Sequence, residues 1–107
     1  MPAKIFAPAE ARLLEIWDYT LAQWGEEQAD RYVRDLIAVI HGLPGRRHSW
    51  RPVADKSLRG VWFLRHRHHY VFFRELSGGI IGVISILHEN MDLPARLKAD
   101  AARSDEE

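Results

Sequence analysis

The chain contains no cysteine, so no disulfide closes a loop and no thiolate is available as a nucleophile or metal ligand. Long hydrophobic runs are missing too: none approaches the roughly 20 apolar residues that cross a bilayer. Met1-Pro2-Ala3-Lys4 leads into no apolar stretch of the kind that directs secretion, so the expected location is cytoplasmic. There is no internal repeat. Excess charge of either sign is absent, since 15 Lys and Arg balance 15 Asp and Glu. Bulk charge therefore favours neither a nucleic acid nor a membrane surface. What is there is a 47% hydrophobic chain of 107 residues, long enough for one packed core without staples.

The stretch from Ser57 to Pro94 organises the rest. It carries three apolar runs, Val61-Trp62-Phe63-Leu64, Tyr70-Val71-Phe72-Phe73 and Ile80-Ile81-Gly82-Val83-Ile84-Ser85-Ile86-Leu87. Aromatic and β-branched runs of this length, bounded by turn signals, read as strands. Ser77-Gly78-Gly79 between the second and third supplies the positive φ of a tight turn, giving an antiparallel meander. A strand with one wet face alternates apolar and polar, and these do not. Tyr70 and Phe72 oppose Val71 and Phe73; Ile80, Ile84 and Ile86 oppose Ile81, Val83 and Leu87. Both faces of the sheet need a cover.

Lys4-Ile5-Phe6-Ala7 reads as a brief edge strand. Pro8 suits a first helical turn, and Ala9, Leu13, Ile16, Trp17, Thr20, Leu21 and Trp24 form one apolar stripe ended by Gly25. On this spacing Trp17 and Trp24 are expected in the core. A second helix carries Ala29, Tyr32, Val33, Leu36, Ile37, Ile40 and Leu43 before Pro44 and Gly45. Helices joined at a single glycine pack as an αα-hairpin, which covers one face of the sheet. Only Leu93 to Leu97, about one helical turn, remains for the other. The expected fold class is α+β: an N-terminal short strand, an αα-hairpin on one face of an antiparallel three- to four-stranded sheet, and a short C-terminal helical turn. The domain is expected over residues 1–98, with 99–107 a disordered tail. The uncovered face implies that a partner chain completes the fold.

Charge is uneven although it sums to zero. From Gly45 to Arg74 stand Arg46, Arg47, Arg51, Lys56, Arg59, Arg65, Arg67 and Arg74 against Asp55, with His48, His66, His68 and His69 among them. Three readings stay open: pairing with an acidic protein segment, contact with a target or its bound DNA, and a solvated face. Arg forks carboxylates well, so Arg59, Arg65 and Arg74 are candidate partner contacts, with Trp50 and Trp62 as aromatic anchors.

Several segments carry a resemblance. Ile16-Trp17-Asp18-Tyr19-Thr20, Trp24-Gly25-Glu26-Glu27-Gln28-Ala29-Asp30-Arg31-Tyr32, Leu58-Arg59-Gly60, Val71-Phe72-Phe73-Arg74 and Ile86-Leu87-His88-Glu89-Asn90-Met91-Asp92 are similar to the pattern of ParE toxins, of the RelE/ParE toxin–antitoxin superfamily. The matches fall in order over nearly the whole chain. The resemblance implies the toxin component of a type II system that inhibits DNA gyrase and is neutralised by a ParD-type antitoxin wrapping it. It implies no catalysis and no cofactor, and nucleic acid only indirectly, through antitoxin or gyrase. Two features depart from the pattern: Phe73 stands where Tyr is common before the Arg, and the run from Arg65 to His69 is unusually basic.

The alternative function is a RelE-like ribosome-dependent mRNA endonuclease. RNA cleavage needs a base, an acid and cations on the phosphate; Arg59, Arg65 and Arg74 would hold phosphate, with His88 or Glu89 moving protons. The plainer reading makes His88 a strand-end residue bonded to backbone or to Asp92. His66 and His68 share a face if both lie in a strand, but no carboxylate or Cys at a suitable spacing completes a ligand set, and no metal is expected.

Overall fold

The computed structural model describes residues 3–106. In chain order the elements are β1 (Ala3–Ile5), α1 (Ala7–Trp24), α2 (Glu26–Gly42), a 3₁₀ segment Leu43–Ser49, β2 (Arg51–Pro52), a 3₁₀ turn Lys56–Leu58, β3 (Val61–His66), β4 (His69–Glu75), a 3₁₀ turn Ser77–Gly79, β5 (Ile81–His88) and α3 (Leu93–Ser104). Pro8 sits in the first turn of α1. Gly25, at φ 94°, ends α1 and starts α2, a backbone state that a Cβ would strain. Gly78 and Gly79 also have positive φ and make the β4–β5 turn, closed by Leu76 N–H donating to the Ile80 carbonyl at 2.7 Å.

The α+β class and the helical hairpin on a sheet are as expected, but the sheet has five strands in the order β1-β5-β4-β3-β2. The β3–β4–β5 meander is antiparallel, while β1 lies parallel to β5. No turn links β1 to β5, so nothing local forces the antiparallel sense. Side-chain parity in β5 also differs from simple alternation. Phe73 pairs with Val83 and Phe72 with Ser85, so Ile84 is the extra residue of a β-bulge. Ile81, Val83 and Ile86 pack with the hairpin, whereas Ile84 and Leu87 pack on the other side. Leu36, Ile40 and Leu43 of the hairpin bury against Val71 and Phe73, each contributing about 1.5–3 kcal/mol.

The opposite face departs most from expectation. Residues 99–104 do not join a disordered tail after one helical turn: α3 runs on to Ser104, and Glu107 of the expected tail lies outside the described residues. Asp92 caps it by accepting from the Ala95 N–H, and Pro94 sits in its first turn. Leu97, Asp100, Ala101 and Ser104 form its buried stripe, packed over Phe72, Ile84 and Leu87. The stripe is made of small and polar side chains, so composition hides it. Gly82 is bare because a Cβ there would lie 2.7 Å from the Phe6 ring, which closes the same layer near β1.

Asp100 fastens this second cover. It is 2% exposed, yet both oxygens are satisfied. Arg12 of α1 donates through Nε (3.0 Å) and Nη2 (3.3 Å), and the bulge residue Ser85 donates its hydroxyl at 2.6 Å. The paired guanidinium is held charged, its pKa raised first by the hydrogen bonds to Asp100. Removing one partner of a buried ion pair strands the other. Asp100→Ala is therefore expected to lower the unfolding free energy by about 3 kcal/mol in urea titrations. A loss under about 1 kcal/mol would mean that Leu97 and Ala101 hold α3 unaided.

Candidate functional site

A wide cleft lies beside α1, away from the α3 face. It is a cleft of about 770 Å³ bounded by α1, the start of α2 and the strand ends at His69 and His88. Helical spacing sends Ile16 and Thr20 into the core while Tyr19 and Trp24 stand 68% and 66% exposed. Trp24 is thus not the core residue its spacing suggested: it is the last residue of α1 and stands on the cleft wall rather than in the hairpin core. Trp17 is not in the core either but half-buried, its indole N–H donating to Asp30 of α2 at 2.9 Å.

Imidazoles and Arg67 form the facing wall. Arg67 and His68 make the two-residue turn between β3 and β4, closed by the His66–His69 pair. Arg67 adopts φ 55°, a region that L-residues enter at a cost of about 1–2 kcal/mol. Neighbouring bonds hold it there: Arg65 Nε donates to the Arg67 carbonyl at 2.8 Å. Glu89 takes Arg65 Nη2 at 2.5 Å and His68 Nδ1 at 2.7 Å, which pulls its pKa down, the His68 bond being the first cause. His69 packs edge-on against His88 at 5.1 Å, and its Nδ1 lies 2.5 Å from the Tyr32 hydroxyl. Burial, then the surrounding imidazoles, push the His69 pKa down to about 4. His66 is lowered in the same sense, again by burial first. At neutral pH His69 is uncharged, and a phenol donating to Nδ1 suits that state.

The five sequence candidates do not converge. Trp50 is buried, not an interface anchor: its N–H donates to the Leu43 carbonyl at 3.0 Å and its ring meets Phe73 edge-on at 4.8 Å. Trp62 is half-buried against Trp50 on the same hairpin face. Arg65 and Arg74 point to the opposite face, Arg65 over Tyr70 and Arg74 to Asp105 of the α3 end at 3.1 Å. Arg59 is exposed, with no carboxylate partner among the described residues. His88 accepts from the Asn90 backbone N–H at 3.1 Å, the strand-end role expected of it. His66 and His68 do not share a strand face, because β3 stops at His66. Among the described residues no group of three or more potential ligands is placed to hold a metal, and no helix is long and apolar enough to cross a membrane. What sequence reasoning missed was the Tyr19–Trp24 wall; its signal was the aromatic excess on α1, wider than one stripe needs.

Comparison with known proteins places this architecture. The family described as ParE toxin of type II toxin-antitoxin system, parDE, matches residues 4–93. The chain belongs to the ParE toxin family. Toxin ParE1 of Mycobacterium tuberculosis is 35% identical over 89 residues, covering 83% of this chain and 90% of the relative. Toxin ParE of Escherichia coli is 38% identical over 91 residues, covering 85% and 87%. A solved chain titled "Chromosomal ParDE TA system from P. aeruginosa" has a TM-score of 0.66 at 23% identity, covering 82% of this chain and 95% of that one, a likeness of fold. The cleft walls lie wholly inside the ParE match, whereas α3 beyond Leu93 and its Asp100 clasp lie outside it.

The imidazole wall sets a pH response. Above pH 6.5, the ordinary His value, His69 is neutral folded and unfolded. Between 6.5 and about 4 the unfolded chain binds a proton that the folded site refuses, so stability falls with falling pH and the loss is complete below about 4. The melting temperature is expected to drop across that window, and His69→Gln to flatten the slope. An unchanged slope in the variant would assign the response to His66 and the carboxylates instead.

Proposed function

We propose that this ParE toxin acts by binding, not catalysis, that its target is DNA gyrase, and that its antitoxin fills the α1 cleft with an amphipathic segment. One observation carries the reading: two large aromatic side chains, Tyr19 and Trp24, stand in water on one wall of a cleft whose facing wall is built from imidazoles and Arg67. Buried aromatics dominate protein interfaces, and a helix laid in a groove reads such anchors at three- and four-residue spacing. Acidic residues on the segment's outer edge would meet Arg67. Of the residues first singled out, Arg65 adjoins this cleft through Glu89. Trp62 and Arg74 belong to a more extended contact, and Trp50 supports the fold. Support for the gyrase target comes from the resemblance described above, which the family match strengthens.

The nuclease alternative is only partly assembled: Arg65 meets Glu89 at 2.5 Å, but Arg74 stands apart. Arg74 pairs with Val61 at one end of the β3–β4 ladder and His69 pairs with His88 at the other. Five residues of strand, about 17 Å, thus separate Arg74 from His88 and Glu89. One scissile phosphate does not reach both sets.

Trp24→Ala is expected to weaken binding of the antitoxin's C-terminal segment by about 2 kcal/mol in calorimetric titration while leaving the unfolding midpoint in place. Trp50→Ala is expected to do the reverse, costing about 3–5 kcal/mol of stability. For the target, purified gyrase should lose supercoiling activity on addition of the toxin while a defined mRNA in a translation reaction stays intact. Codon-spaced cuts in the mRNA with gyrase untouched would overturn the reading.

A further inference from the structure

We propose a second interaction surface, on the β2 edge of the sheet, that binds the phosphate backbone of duplex nucleic acid. Arg46, Arg51, Lys56 and Arg59 are all exposed, and none has a carboxylate partner among the described residues. Topology brings them to one border. Arg46 precedes β2, the outermost strand; Arg51 lies on it opposite Phe63; Lys56 and Arg59 end the connection into β3. Arg59 stands four residues before Phe63, so the Arg51–Arg59 stretch spans no more than about 13 Å along the edge. Asp55, the acid within this segment, is already engaged: it accepts from Ser57 at 2.9 Å and pairs with Lys98 of α3 at 3.3 Å, and its pKa is lowered, the Ser57 bonds being the first cause. Asp35 lies with Arg46 within electrostatic reach of His66, so the positive excess of this border is carried chiefly by Arg51, Lys56 and Arg59.

The surface suits a phosphate backbone better than a protein. Protein interfaces need apolar anchors at their centre. The large exposed apolar side chains are Leu14, Tyr19, Leu21 and Trp24 of α1 and Ile80 before β5, none of them on this border, and Trp50 faces inward. Strand addition is blocked as well. β2 has only two residues, and the second is Pro52, which has no N–H to donate. What remains is guanidinium and ammonium without hydrophobic relief. That composition recognises a backbone and not a sequence, and Arg forks match phosphate oxygens. Without an exposed aromatic on the border there is no platform for unpaired bases, which favours duplex over single strand. The border is built from β2 and its connections, whereas the cleft is lined by α1, the start of α2 and the strand ends.

The test uses the free toxin and a labelled random-sequence duplex of about 24 base pairs, read by fluorescence anisotropy. Binding is expected at about 50 mM salt and should weaken about 100-fold by about 200 mM if three to four phosphates are neutralised. The triple variant Arg46→Glu, Arg51→Glu, Arg59→Glu should lose at least about tenfold in affinity, with its circular dichroism spectrum retained. Arg96→Glu with Arg103→Glu on α3 should change nothing. Arg51→Gln alone, a mild change at an exposed side chain, should reduce the salt slope by about 1. The proposal is overturned by no binding at low salt, by equal losses from the edge and α3 variants, or by a polyglutamate peptide binding more tightly than the duplex. Antitoxin-segment titrations on the same edge variants should be unaffected, so failure here leaves the cleft reading standing, and the reverse.

Discussion

A small sheet that is apolar on both faces must be covered twice, and nearly everything in this ParE toxin follows from that constraint. The helical hairpin supplies one cover in bulk, with Leu36, Ile40 and Leu43 fully buried. The second cover is a thin, polar helix that brings Leu97 and Ala101 as its buried apolar side chains. Two apolar side chains amount to only a few kcal/mol, so α3 needs a further hold. Asp100 provides it, reaching past the sheet to Arg12 of α1 and down to Ser85. The bulge at Ile84 is part of the same arrangement, because it turns both Ile84 and Ser85 toward α3.

Helix α1 therefore serves both layers, and its remaining surface is what the toxin offers to others. One side enters the hairpin core, and Arg12 reaches the clasp. The flank between them carries Tyr19 and Trp24 over the cleft, with no part of the described chain left to cover them. The wall opposite is rigid in detail: a left-handed Arg67, a carboxylate shared between Arg65 and His68, and a neutral His69 against Tyr32.

The zero net charge conceals a division of labour. Around the cleft the cations are mostly engaged with Glu15, Glu89 or Asp100 and shape an apolar site. Along the β2 border they are free and exposed. The cleft and the border thus differ in kind, one shaped by side-chain bonding around aromatics and the other by unpaired positive charge.

Local chemistry made the hairpin, the meander and the Gly25 and Gly78-Gly79 turns legible, since helical spacing, strand runs and positive φ are properties of short segments. The ParE resemblance was legible for the same reason, and the failure of alternation in β4 and β5 announced that two covers were needed. Tertiary structure decided the rest. Whether Trp24 is buried depends on what packs at the end of α1, and whether Trp50 faces out depends on Phe73 and Leu43 lying under it. Whether residues after Leu97 fold depends on a face of small side chains finding Arg12 and Ser85, 88 and 15 residues away in sequence. The sequence by itself determined which segments are helix or strand and that both faces of the sheet want burial. Only the three-dimensional packing decided which side chains were left over for partners, because exposure is settled by distant neighbours and not by a residue's own spacing.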